Sequence, residues 1–270
     1  MPELPEVETT RLGLAPRLRG RALASVTIRN PRLRWPVPDD LARRLEGLTL
    51  ETLERRGKYL LFDFGAVTQL VHLGMSGSLR LVEADDPAAA HDHVDWTFDD
   101  GTILRLRDPR RFGAVLLTAD PARHALLAHL GPEPLTDAFD AAYLHAQCRR
   151  RSAAIKQVIM DAHTVVGVGN IYASESLFHA GIRPTVAARR LSGPACARLT
   201  GAIKRVLAAA IAAGGSSLRD YVRSSGELGY FQLQTQVYDR AHLPCKTCGT
   251  PIRRVVQGQR ASFYCPACQR

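Results

Sequence analysis

A chain of 270 residues, 46% hydrophobic and 23% charged, has the composition of a globular protein and the length of about two domains. No apolar run approaches the ~18 residues of a membrane span, and the acidic start, Met1-Pro2-Glu3, lacks a signal-peptide core, so a cytosolic protein free of membranes is expected. The formal net charge of +10 favours a polyanionic partner.

The first stretch, Met1-Pro2-Glu3-Leu4-Pro5-Glu6-Val7-Glu8, opens a helix. Pro5 suits its first turn, and Glu6 and Glu8 complement its positive end. Helix chemistry does not account for Pro2. A small-ring residue after Met1 permits removal of the methionine, leaving a secondary amine at the terminus. An α-amine titrates near ~8, so part of it is unprotonated at neutral pH and able to attack an electrophilic carbon. Glu3 then stands beside it as a proton carrier.

Residues 22–118 read as β, with period-2 runs at 24–28, 58–64, 69–73, 94–98 and 102–107. Asp99-Asp100-Gly101 is a hairpin loop, and the closely spaced turns suggest an antiparallel sandwich or barrel. Two glycine-flanked loops interrupt this pattern: His72-Leu-Gly-Met75-Ser-Gly and Asp108-Pro-Arg110-Arg111-Phe112-Gly113. Phe112 beside two arginines suits stacking or wedging against bases. Strand alternation would point His91 and His93 the same way with no further ligand nearby, so they read as surface histidines or one phosphate contact.

Leu130-Gly-Pro-Glu-Pro134 is a linker, after which helices are predicted over 137–150, 152–160, 173–180 and 193–213. Cys148 and Cys196, lying among them, read as buried free thiols. Val166-Gly-Val-Gly-Asn170 is a turn between two helices. It follows no strand and has Tyr172 at the third glycine position, so it is not a dinucleotide-binding fingerprint. Its glycines and Asn170 could approach a phosphate closely, and a plain connector explains the spacing equally well. Residues 223–231 form a polar loop able to close over a ligand. Only Lys58, Lys156, Lys204 and Lys246 are lysines among 36 basic residues; each marks a place that wants a compact ammonium, or chance.

The last stretch holds Cys245-x-x-Cys248 and Cys265-x-x-Cys268, sixteen residues apart. Two such pairs aim four sulfurs at one point, the pattern of a tetrahedral zinc site. Short strands flank Gln257-Gly258-Gln259 between the pairs, giving a zinc-clamped β-hairpin whose folding depends on the metal. Residues 231–270 carry six basic side chains against Asp239 alone, a balance that favours a phosphate backbone, with Arg260 placed to reach into a groove.

Taken in order, Pro2-Glu-Leu-Pro-Glu-Val-Glu8, Gly57-Lys58-Tyr59, His72-Leu-Gly-Met-Ser-Gly77, Asp108-Pro-Arg-Arg-Phe-Gly113, Val165-Val-Gly-Val-Gly-Asn-Ile-Tyr172 and the Cys₄ hairpin resemble the formamidopyrimidine-DNA glycosylases, bacterial base-excision repair enzymes. The resemblance runs essentially end to end. It implies an α+β, multidomain protein: an N-terminal antiparallel β-sandwich catalytic domain (1–130), a helical helix–two-turn–helix domain (131–230) and a Cys₄ zinc finger (231–270) with one structural zinc. It implies that Pro2 attacks C1′ of an oxidised purine nucleoside, forming a Schiff base, and that β,δ-elimination then cuts the strand. Glu3 would move protons, Lys58 would hold a phosphate and assist, and Glu6 would support the terminus. Met75, Arg110 and Phe112 would fill the void left by the flipped base, and His91, Asn170 and Arg260 would contact phosphates or a groove. The implied partner is double-stranded DNA with oxidised bases or abasic sites, bound by a monomer in the bacterial cytoplasm.

The related endonuclease VIII group, which removes oxidised pyrimidines, typically has glycine at the position of Leu4 and lacks the long lid, here residues 219–230. Arg219 departs from the lysine frequent in the family and leaves its part in base choice open. A non-catalytic zinc ribbon would explain the hairpin and the charge, but not Pro2, Glu3 or Lys58.

Overall fold

The computed structural model describes residues 2–215 and 235–270; the expected lid and Arg219 lie outside the described residues. The described chain falls into two compact units, 2–128 with 213–215, and 129–212 with 235–270.

The first unit begins with α1 (Leu4–Leu18). Pro5 sits in its first turn, where a missing N–H costs nothing, and Glu6 Oε2 accepts the Glu3 N–H at 2.8 Å. Then come β1 (Leu23–Ile28), the short α2 (Leu41–Leu45), β2 (Thr52–Arg56), β3 (Tyr59–Asp63), β4 (Thr68–His72), β5 (Ser78–Val82), β6 (Asp92–Phe98), β7 (Ile103–Arg107) and β8 (Ala114–Thr118). They pair antiparallel in two four-stranded sheets ordered β1-β6-β7-β5 and β2-β3-β4-β8. The period-2 pattern does not single out β2, β5 and β8, and all three are sheet edges. An edge strand has one neighbour and tolerates polar or irregular patterning.

The core of this unit combines Leu14 and Leu18 of α1 with Phe62, Val71, Trp96 and Leu104. Trp96 Nε1 on one sheet donates to the buried Gln69 Oε1 on the other at 2.9 Å, so these two polar groups inside the sandwich satisfy each other.

The second unit holds α3 (Ala141–Arg149), α4 (Ile155–Met160), α5 (Asn170–Ala180), α6 (Gly193–Ala212) and the hairpin β9 (Arg253–Gln257) and β10 (Arg260–Tyr264). Helix α3 starts later than the apolar pattern suggests because Asp140 caps it, accepting the Tyr143 N–H at 2.7 Å. Helix α5 starts earlier, so Asn170 opens a helix instead of lying in the preceding turn. Residues 171–178 are buried on every side, which makes α5 the axis of the unit. Its buried Glu175 accepts the N–H groups of Gln236, Val237 and Tyr238 at 2.8, 3.0 and 2.8 Å. The metal hairpin therefore shares a core with this helix: Phe178 packs with Val237, Ile252 and Phe263. Cys148 and Cys196 are free and buried, as expected.

Candidate functional site

In the first unit the chain start is closed in. Pro2 is buried, and Glu3 and Glu6 are 2% and 0% exposed. Lys58 stands half-exposed in the β2–β3 turn. That turn is fastened to α1 by Arg55, whose Nε donates to Glu8 Oε2 at 2.9 Å while its terminal nitrogen donates to the Gly57 carbonyl at 3.0 Å. Burial would raise the Glu8 carboxyl, but Arg11 and Arg55 outweigh it and hold Glu8 below the usual range.

Beside Lys58 lies His72, unassigned by sequence reasoning although it opens one of the loop motifs. It pairs with Tyr59 across the sheet, the rings 4.8 Å apart. Burial, then the charges of Lys58 and Arg34, push its pKa down to about 4. The neutral ring accepts the Gly74 N–H on Nδ1 at 3.0 Å, which leaves the proton on Nε2 as a donor.

The two glycine-flanked loops come together. A Cβ at Gly74, whose φ is +61°, would collide with the backbone of Phe112 and Gly113, so only glycine lets the loops touch. Met75 and Phe112 stay 38% and 43% exposed, large apolar side chains offered to solvent by the two touching loops, with the Arg110 guanidinium 4.9 Å from the Phe112 ring centre. His91 is exposed, and its carbonyl accepts the Asp108 N–H at 3.0 Å. The expectation that His91 and His93 face the same way is corrected. The β6–β7 register shifts between Asp92 and Val94, breaking the alternation, and His93 is buried with Nε2 2.8 Å from the Asp108 carbonyl.

In the second unit, Lys156 of α4 ties the predicted contact residue Asn170 to β10. Its Nζ, buried with the side chain, donates to Asn170 Oδ1 at 2.7 Å, Ser262 Oγ at 2.8 Å and the Ala261 carbonyl at 3.0 Å. Asn170 is thus fixed to the strand that begins with the exposed Arg260. The hairpin turn has positive φ at Gly258 and Gln259, the type I′ geometry of a two-residue connection. The scarcity of lysine was the one sequence signal for Lys156; Glu175 had none.

The four cysteines converge, their sulfurs all within 4.8 Å of one another. Cys245 and Cys268 are 3.9 Å apart and Cys248 and Cys265 3.5 Å apart, against about 3.8 Å for tetrahedral zinc with ~2.3 Å bonds. The Thr247 and Cys268 amides donate to Cys245 and Cys265 sulfurs at 3.4 Å, which favours thiolates. The donor set fits one structural zinc.

Three family models match the chain: the formamidopyrimidine-DNA glycosylase N-terminal domain over residues 1–115, its H2TH domain over 130–222, and a zinc finger found in FPG and IleRS over 243–270. The formamidopyrimidine-DNA glycosylase of Thiobacillus denitrificans is 78% identical over the whole of both chains. The crystal structure of the MutM (Fpg) protein from Thermus thermophilus superposes with a TM-score of 0.89 at 39% identity, covering 99% of this chain and 98% of that one. A complex of Lactococcus lactis Fpg with DNA containing an abasic site superposes with a TM-score of 0.92 at 33% identity, covering 99% of each chain.

Proposed function

The chain belongs to the formamidopyrimidine-DNA glycosylase family, and from that premise we infer that it is a DNA glycosylase and abasic-site lyase of base excision repair, acting on oxidised purines such as 8-oxoguanine and ring-opened formamidopyrimidines. The observation that carries this reading is the buried start of α1, where Pro2 precedes Glu3 and Glu6 in a chain matched along its length. Residues 1–130 act as the catalytic domain, 131–230 as the helical DNA-binding domain and 231–270 as the zinc finger. The enzyme works as a monomer in the bacterial cytoplasm.

With Met1 removed, the Pro2 nitrogen attacks C1′ of the damaged nucleoside. The N–C1′ bond forms as the glycosidic bond breaks, and the bonding pair leaves on the base, which takes up a proton. Loss of the nitrogen's proton and opening of the sugar, with Glu3 protonating the ring oxygen, give an iminium. The iminium acidifies C2′–H, so β-elimination expels the phosphate on one side and δ-elimination the other. Lys58 holds a phosphate at the sugar and assists proton transfer.

Reading the lesion requires flipping the base out of the stack, at a few kcal/mol. Met75, Arg110 and Phe112 occupy the space it leaves, Arg110 facing the orphaned partner, while His91, Asn170 and Arg260 contact the backbone or a groove. Cys245, Cys248, Cys265 and Cys268 would hold one zinc ion through four sulfurs, which would leave no position for water or substrate and confine the metal to holding the hairpin.

The test is borohydride trapping on an 8-oxoguanine·cytosine duplex and, separately, on thymine glycol. Covalent capture on the first substrate is expected. Preferential capture on thymine glycol would reassign the substrate to oxidised pyrimidines, and binding without capture on either would leave a non-catalytic nucleic-acid binder.

A further inference from the structure

Asp108 takes no part in the chemistry above, yet it is fully buried where three segments bearing proposed DNA contacts meet. One carboxylate oxygen accepts Ser76 Oγ–H at 2.8 Å and the Arg110 N–H at 3.3 Å; the other accepts the Gly113 N–H at 2.8 Å. Its backbone holds the third segment. Its N–H donates to the His91 carbonyl at 3.0 Å, and its carbonyl accepts from His93 Nε2 at 2.8 Å. A carbonyl oxygen only accepts, so Nε2 of the buried His93 ring is the donor of this bond.

We propose that Asp108 is a positioning residue for base extrusion, holding the Met75 loop, the Arg110–Phe112 loop and His91 in one fixed arrangement. The inference rests on the void-filling roles assigned to Met75, Arg110 and Phe112. Three side chains from two loops fill one base-sized gap only if the loops keep a constant spacing. The Arg110–Phe112 loop has reason to relax if left alone, because the non-glycine Arg111 sits at φ +55°, in the left-handed region. The carboxylate opposes that by bridging the loops, with Ser76 on one side and the Arg110 and Gly113 amides on the other. Ser76 Oγ in turn accepts the Arg110 N–H at 3.2 Å, closing the ring of contacts. An asparagine has the same shape but turns its NH₂ either toward the Gly113 amide, losing that bond, or toward Ser76, whose hydroxyl must reverse to accept it while the Arg110 N–H loses its acceptor on residue 108.

The experiment compares single-turnover excision of 8-oxoguanine opposite cytosine with cleavage of a preformed abasic site, using the full-length zinc-loaded protein. For Asp108→Asn the ratio of excision to abasic-site cleavage should fall about tenfold, and for Ser76→Ala it should fall in the same direction by less. Hydrogen exchange at 110–113 should accelerate while exchange in β7 and β8 stays slow. Adding Asp108→Asn to Phe112→Ala should lower excision little beyond the worse single variant, because both act through one assembly.

Equal loss on the two substrates, no loss, or full additivity with Phe112→Ala would overturn the proposal. Should Asp108→Asn fold poorly, Ser76→Ala, which leaves the carboxylate in place, decides by the same ratio. Phe112→Ala alone separates this proposal from the one beneath it. If that variant loses both activities equally, the void-filling roles fail and this proposal falls with them; if it is selective and Asp108→Asn is not, only the role of Asp108 fails.

Discussion

Lys156 Nζ and Asn170 Oδ1 are 2.7 Å apart, and the same ammonium reaches across to β10 through Ser262 and Ala261. One buried cation therefore sets the proposed phosphate ligand of the helical segment against the strand that begins at Arg260. Lys156→Met keeps most of the volume but strips the donor from three acceptors, a loss of about 1–3 kcal/mol. Affinity for damaged and undamaged duplex should fall together while the salt slope stays near wild type, since the buried ammonium is engaged by three protein acceptors. A clear drop in the slope, measured by fluorescence anisotropy over a salt series, would mean that Lys156 itself contacts DNA.

Arg260→Ala should also weaken binding, but through the salt slope. Its exposed guanidinium at the hairpin turn is proposed to contact phosphate or a groove, so its removal should weaken binding to any sequence and reduce the salt slope by about 1. An unchanged slope would remove Arg260 from the phosphate contacts.

Stripping zinc, or Cys265→Ser, should unfold the hairpin and weaken DNA binding while the β-sandwich keeps its own transition. Because Phe178 packs with Ile252 and Phe263, the end of α5 should loosen too. Hydrogen exchange resolved by segment, with metal content measured in parallel, checks this. Full strand cleavage at normal affinity in verified zinc-free protein would contradict it.

His72 should remain neutral, protonated on Nε2, until the pH approaches about 4. Its folded pKa lies below the ordinary value of 6.5, so the unfolded chain binds the proton more readily between the two. The stability that the neutral ring contributes is present above about pH 6.5 and drains away as the pH falls through both values. Histidine ¹⁵N spectra through a titration report tautomer and pKa directly; a midpoint near the ordinary value would show that burial and the charges of Lys58 and Arg34 do not act on the ring.

Attack on C1′ requires a free Pro2 nitrogen. A retained Met1, a tag or an acetyl group turns it into an amide whose lone pair is delocalised, so a blocked protein should bind damaged duplex yet fail to be trapped by borohydride. Pro2→Gly should trap more slowly, with some lyase activity remaining. Glu3→Gln should lose base excision far more than cleavage of a preformed abasic site. A chain shown by mass spectrometry to keep Met1, but trapped at the wild-type rate, would move the nucleophile elsewhere, with Lys58 the first residue to examine.

The features readable from the sequence are those whose chemistry is local. Two C-x-x-C pairs place their own sulfurs, Pro5 and Glu6 mark a helix start within one turn, and Gly258 permits its own hairpin turn. The order of six motifs along 270 residues was enough to identify the family and its architecture. Tertiary structure decided whatever depends on partners far apart in the chain. Asp108 meets Ser76 across 32 positions and Lys156 meets Ser262 across 106, and neither spacing leaves a periodic trace. His72 reads as an ordinary loop-edge histidine until burial and two neighbouring cations remove its charge, and His93 reads as a surface residue until a bulge turns it inward. In each case the property belongs to the surroundings and not to the residue. A buried polar or titratable group takes its role from whichever donors, acceptors and charges the folded chain brings within a few ångströms, and it is folding that assembles that set.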